Sequence, residues 1–232
     1  MSTHEIPEAE GLQPNSGRHR WRRKIVGYVL VAIILVPLFI GMFFWLNYQY
    51  NEGQISVVEN IAYTEEVVRN FSSSEVIMNL STMFPQKLNY TDLLYWESRR
   101  LNYTENRIWH ADPIEILSYG KGACGEFSIL YISVCLANGI PARLVMTAYL
   151  IPNVVDHSWA EVNPLKDGKT WIHVEVTDAC YSIKTTGSLN LLTINNTSYY
   201  KSQHYRMLFA YQLDADRNVI ITDRTAVYSS DR

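Results

Sequence analysis

The side chain with the clearest chemical potential is Cys124, in the run Lys121-Gly122-Ala123-Cys124-Gly125-Glu126-Phe127, where a glycine turn gives way to an apolar stretch from Phe127 to Leu136. The change of pattern predicts a helix beginning at the thiol. The first-turn N–H groups of a helix carry partial positive charge, and flanking glycines leave a sulfur uncovered, so both features favour the nucleophilic thiolate. The competing reading is a small buried residue, the commonest fate of an unpaired cysteine.

Downstream, Asp156-His157-Ser158-Trp159-Ala160-Glu161-Val162 alternates like a strand and sets His157, Trp159 and Glu161 on one face. A second run, Thr170 to Asp178, alternates likewise, with Trp171, His173, Glu175 and Thr177 on one face and Ile172, Val174 and Val176 on the other. The turn Lys166-Asp167-Gly168-Lys169 joins the two as a predicted hairpin. Helix with thiol, strand with imidazole and strand with carboxylate is the order of parts that thiol acyl transfer needs. Imidazole takes the thiol proton and returns it to the leaving group, while the carboxylate fixes the ring's tautomer and orientation.

These segments resemble the transglutaminase-like branch of the papain-like thiol enzymes. The resemblance rests on Gly122-Ala123-Cys124-Gly125-Glu126-Phe127, Gly139-Ile140-Pro141-Ala142-Arg143, His157-Ser158-Trp159-Ala160-Glu161-Val162 and Trp171-Ile172-His173-Val174-Glu175-Val176-Thr177. Trp109 to Pro113 and Ile221 to Tyr228 add weaker landmarks. It implies Cys124 as nucleophile and His157 as general base and acid. Glu175 stands where the family carries Asp, and Val176 where it carries Pro. Glu175 is the expected third member. Asp178 is the fallback, although strand parity points it to the opposite face. His173 and His110 are expected in structural roles, and Trp159 in the core or as a shield for a thiolate–imidazolium pair. The Cys124 backbone N–H would supply one oxyanion donor.

To position these groups, the sequence predicts an α+β fold with a papain-like/transglutaminase-like core, in which a buried Cys-bearing helix packs on an antiparallel sheet. Asp112 as N-cap, Pro113 in the first turn and Gly120 at the end delimit one helix. The cysteine helix runs from Cys124 to Asn138, apolar nearly all round, and stops at Gly139 before Pro141. Val145–Ile151, His157–Val162, Trp171–Thr177, Met207–Leu213 and Val219–Thr222 are the predicted strands. Upstream, Ile55 to Phe71 reads as an amphipathic helix broken by Ser72-Ser73-Ser74, and Leu93 to Trp96 as a short second helix, together a stalk or an extra helical layer.

Ile25 to Leu46 runs for 22 residues without a charge, a length of roughly 33 Å as a helix and enough to cross a hydrocarbon core. It is too long for a signal-peptide core, and no small-residue cleavage site follows. Arg18, Arg20, Arg22, Arg23 and Lys24 precede it, so the expected topology is a single-pass cell-membrane protein with a cytoplasmic N-terminus and an extracytoplasmic catalytic domain. Six Asn-x-Ser/Thr sequons, at Asn70, Asn79, Asn89, Asn102, Asn195 and Asn196, all follow the anchor. The expected organisation is a disordered basic tail over 1–24, a transmembrane helix over 25–46, a helical lead segment over 47–105 and a catalytic domain over 106–232.

Composition is that of a globular protein, 47% hydrophobic and 19% charged, with a net charge of −3. The first 24 residues hold five basic and three acidic side chains, leaving 15 basic against 20 acidic beyond them. That balance lacks a nucleic-acid footprint. With Cys124 kept as a thiol, Cys135 and Cys180 could bridge, or all three could remain thiols. No Cys or His spacing matches a zinc site, and no metal or cofactor is expected. The expected activity is attack on amide bonds of a protein or peptide substrate through a thioester, most simply hydrolytic and alternatively transamidating. The opposing expectation is a catalytically silent domain used for binding or scaffolding at the cell surface.

Overall fold

A computed structural model describes residues 33–47, 60–84, 86–105, 110–147, 157–198 and 207–228. The chain divides into two units, Met1–Glu52 and Gly53–Arg232. In the first, residues 33–47 are helical, and apolar side chains such as Leu38 and Phe44 stand about two-thirds exposed, at 63% and 66%. Residues 25–32 of the predicted span lie outside the described residues. Among the described residues no helix is long and apolar enough to cross a membrane.

The second unit is α+β. Its chain runs through helical residues 60–71 (α1), Ser74–Ser81 (α2), Tyr90–Ser98 (α3), Asn102–Tyr103 (β1), Pro113–Tyr119 (α4), Lys121–Gly122 (β2) and Cys124–Ala137 (α5). It continues with Ala142–Thr147 (β3), Ser158–Val162 (β4), Ile172–Val174 (β5), Val176–Thr186 (α6), Leu208–Leu213 (β6), Val219–Asp223 (β7) and Thr225–Tyr228 (α7). Five strands form one sheet in the order β5-β4-β3-β6-β7, every pair antiparallel.

Helix α5 is the centre of the core. Phe127, Ile129, Leu130, Tyr131, Ile132, Val134 and Cys135 are all buried, because apolar residues on every face leave the helix no side that favours water. It meets β3 and β4 on one side and α2, α3, α4 and α6 on the others. Val67, Val68, Phe71, Leu80, Leu93 and Leu94 share this core, so the lead helices are a layer of the same unit and not a stalk. Ser72 and Ser73 interrupt the helical pattern, and the Ser73 hydroxyl accepts the Val76 N–H at 3.3 Å and starts α2 at Ser74.

The helix that precedes the thiol forms as its caps dictate. Asp112 accepts the Ile114 N–H at 2.8 Å, Pro113 occupies the first turn, and Gly120 closes α4 in the left-handed conformation at φ 68°. The parallel pairing of β1 with β2 then carries the chain into Cys124.

The sheet departs from expectation at three places, the first being that β3 starts at Ala142 and not at Val145. The loop between β4 and β5 spans 163–171, longer than a tight hairpin, and is organised by Asp167, whose Oδ1 accepts the Lys169 and Thr170 N–H groups. Past Val174 the predicted strand ends: Glu175 is the last extended residue and Val176 opens helix α6. Val176, Ala179, Cys180 and Ile183 are buried along one side of that helix, a spacing of three and four residues that burial against α3 and α5 rewards over the strand propensity of Val and Thr. Residues 148–151 of the strand predicted from Val145 lie outside the described residues.

Candidate active site

Cys124 is the first residue of α5, and Gly122 lets it sit there. A Cβ at position 122 would collide with the Glu126 Cβ, and that approach brings Glu126 Oε2 back to accept the Ala123 N–H at 2.9 Å. The glycine and the glutamate of the motif are therefore one device for starting the helix at the sulfur. As first residue, Cys124 also has a backbone N–H beyond the reach of any carbonyl of its own helix.

His157 lies just before β4, and Glu175 just after β5. In the register of those strands Ala160 pairs with Val174, so continuation sets Glu175 opposite Trp159 and diagonal to His157, a separation that a long side chain can cross. His157 Nε2 meets Glu175 Oε2 at 2.9 Å. Cys124 also adjoins the imidazole closely enough to favour its charged form. Three groups from separate elements thus stand in the order thiol, imidazole, carboxylate. Asp178 falls instead in the first turn of α6, on the exposed side.

Electrostatics follow from that line. Burial disfavours the charged imidazole, but the Glu175 charge, the hydrogen bond the ring donates to Glu175 and the adjacent Cys124 outweigh it, raising the His157 pKa to about 10. Burial likewise opposes the Cys124 thiolate, yet the neighbouring His157, and after it Ser158, bring its pKa below the ordinary thiol value. Cys135 and Cys180 are buried thiols, both pushed up, chiefly by burial. The only thiol tuned toward reactivity is the one beside an imidazole.

Ser158 is the residue that sequence reasoning passed over. Strand alternation turns it, with Ala160 and Val162, toward α5, opposite to Trp159 and Glu161. The same period of two that placed His157 held that signal.

Around these three residues the buried polar side chains pair with one another. Trp159 is fully buried, with its ring 5.7 Å from His157, 5.8 Å from His173 and 4.8 Å from Tyr228. His173 Nδ1 lies 3.3 Å from the Tyr228 hydroxyl, and burial lowers its pKa to about 4, so it is neutral at pH 7. His110 pairs with Glu115 at 3.1 Å at the start of α4. Glu161 is a buried carboxylate shared among Arg143 at 2.6 Å, Arg224 at 2.6 Å and the Tyr228 hydroxyl at 2.6 Å. These contacts satisfy a charge that would otherwise be costly to bury, and they tie β3, β4 and α7 together. Arg224 and Tyr228 thereby acquire a role that their sequence did not show.

A narrow apolar cavity opens beside Cys124, lined by α1, α5, β3 and Ser158. Glu175 also borders a wider cavity together with Asp178, Asn190, Thr193 and Asn196. Among the described residues no group of three or more His, Cys, Asp or Glu side chains is placed to hold a metal ion.

Residues 82–176 match the family model described as the transglutaminase-like superfamily. No curated protein matches the chain. Among solved structures, Rad4–Rad23 crosslinked to undamaged DNA aligns at 15% identity with a TM-score of 0.48, covering 77% of this chain and 49% of that one. A candidate cysteine protease from Cytophaga hutchinsonii aligns at 14% identity with a TM-score of 0.38, covering 67% and 53%. The chain spans about half the length of these structures.

Proposed function

We propose that this protein is a membrane-anchored thiol enzyme whose extracytoplasmic portion cleaves amide bonds of proteins or peptides through a Cys124 thioester. The observation that carries the reading is the line Cys124, His157, Glu175, in which one thiol of three is drawn toward thiolate by an imidazole that a buried carboxylate holds.

In this scheme the thiolate attacks the carbonyl carbon, and the developing oxyanion takes the Cys124 N–H at the positive end of α5. The His157 imidazolium gives its proton to the amide nitrogen, the carbon–nitrogen bond breaks, and an amine leaves. Neutral His157 then takes a proton from water, which attacks the thioester and releases a carboxylic acid and the thiolate. An amine in place of water would give transamidation. Glu175 keeps the ring in the tautomer that presents a nitrogen to sulfur. Water is always available, which favours hydrolysis. Support for the anchor is the uncharged run Ile25–Leu46 and the basic cluster before it.

The direct test is to incubate the full chain with a library of peptide amides and to look for acylation by mass spectrometry after acid quench. An acyl adduct on Cys124, removed by hydroxylamine and missing in Cys124→Ala, supports the proposal. A folded protein with no adduct and no cleavage would favour the scaffolding reading.

A further inference from the structure

The cavity beside the sulfur has a definite shape and chemistry. Helix α1 forms one wall with Tyr63, Thr64 and Val67, while Ile129 of α5 and Leu144 and Met146 of β3 form the others, and Cys124 stands at its edge. The one hydroxyl group of Thr64 is already engaged, donating to the Asn60 carbonyl at 2.7 Å and approaching the Met146 sulfur at 3.3 Å. Glu126, also on the wall, has Oε2 committed to the Ala123 N–H. What remains facing the space is almost wholly apolar.

Its volume is about 30 Å³, where one water needs ~10–15 Å³ of such space. Two or three methylene-sized groups fill it; a benzene ring does not. A narrow apolar cavity holds water poorly, so an aliphatic chain entering it gains dispersion contacts without displacing well-bound solvent. The α1 wall also lies outside residues 82–176, the segment that matches the family model.

We infer that this slot is a specificity subsite that takes a short aliphatic side chain on the residue whose carbonyl is attacked. The inference rests on the thiol reading above. Val67 and Met146 set the depth of the slot, and α1 supplies selectivity that the matched segment alone lacks.

Alkylation of Cys124 tests the subsite apart from turnover. The full chain is treated with chloromethyl ketones of N-acetylated glycine, norvaline, phenylalanine and aspartate, each rate being divided by that with iodoacetamide in the same protein. Burying two or three methylenes favours norvaline over glycine by about tenfold or more, with phenylalanine and aspartate at or below glycine. Val67→Ala and Met146→Ala, both of which enlarge the slot, move the preference toward phenylalanine. Equal ratios for all four reagents, with rapid iodoacetamide labelling, overturn the subsite and leave the thiol reading standing. Sluggish iodoacetamide labelling of Cys124 overturns both.

Discussion

Glu175 stands diagonal to His157 across the ends of β4 and β5, and its carboxylate bridges the offset to meet the imidazole at 2.9 Å. The side chain one methylene longer than aspartate suits that offset. Glu175→Gln, which keeps the shape and removes the charge, should bring the His157 pKa down from about 10 and slow Cys124 alkylation at pH 7 by on the order of tenfold or more. Glu175→Asp should fall between the two. Side-chain NMR titration of His157 together with alkylation rates checks both effects.

That offset also shows where sequence reasoning works and where it stops. Asp112, Pro113 and Gly120 delimit α4 because caps act locally. The all-round apolar face from Phe127 to Leu136 marks a central helix because no other position would bury it. Strand alternation correctly sets Trp159 and Glu161 on one face, but the same rule carried past Val174 turns α6 into a strand. Val176 and Thr177 have strand propensity; Ala179, Cys180 and Ile183 decide the matter by packing on α3 and α5. The companions of Glu161 were hidden for a similar reason, since Arg143, Arg224 and Tyr228 converge only when β3, β4 and α7 are in place.

Ser158 should tune the sulfur. It lines the same cavity edge as Cys124 and helps lower the thiol pKa, behind the larger effect of His157. Ser158→Ala removes the hydroxyl dipole from beside the sulfur, so the alkylation pH profile should move upward and the rate at pH 7 fall severalfold. Ser158→Thr, which keeps the hydroxyl, should restore much of it if the pocket admits the methyl group.

Gly122→Ala places a Cβ against Glu126 and must displace the carboxylate that caps Ala123. The expected cost is about 1–3 kcal/mol, with slower Cys124 labelling because the helix start shifts. Denaturant unfolding and labelling, measured on the same samples, should fall together. An unchanged unfolding midpoint would mean that the backbone relaxes around the new methyl.

Acid stability should report His173. Its folded pKa is lowered to about 4 by burial, below the ordinary value of ~6.5. Above about 6.5 the ring is neutral in both states and its contribution is fully present. As pH falls from about 6.5 toward about 4 the unfolded chain binds a proton that the folded one refuses, and stability declines. His173→Gln should flatten that part of the profile in urea unfolding across pH 4 to 7, whatever its effect at neutral pH.

The proposed activity requires coupling between one sulfur and one imidazole, and a pH titration of Cys124 thiolate by its ultraviolet absorbance reads that coupling directly. It is best done in a Cys135→Ala, Cys180→Ala background, with and without His157→Ala. The expected result is a thiolate forming below the ordinary thiol range while His157 is present and above it once the ring is removed, because burial then acts unopposed. Superimposable titrations with and without the imidazole would contradict the account.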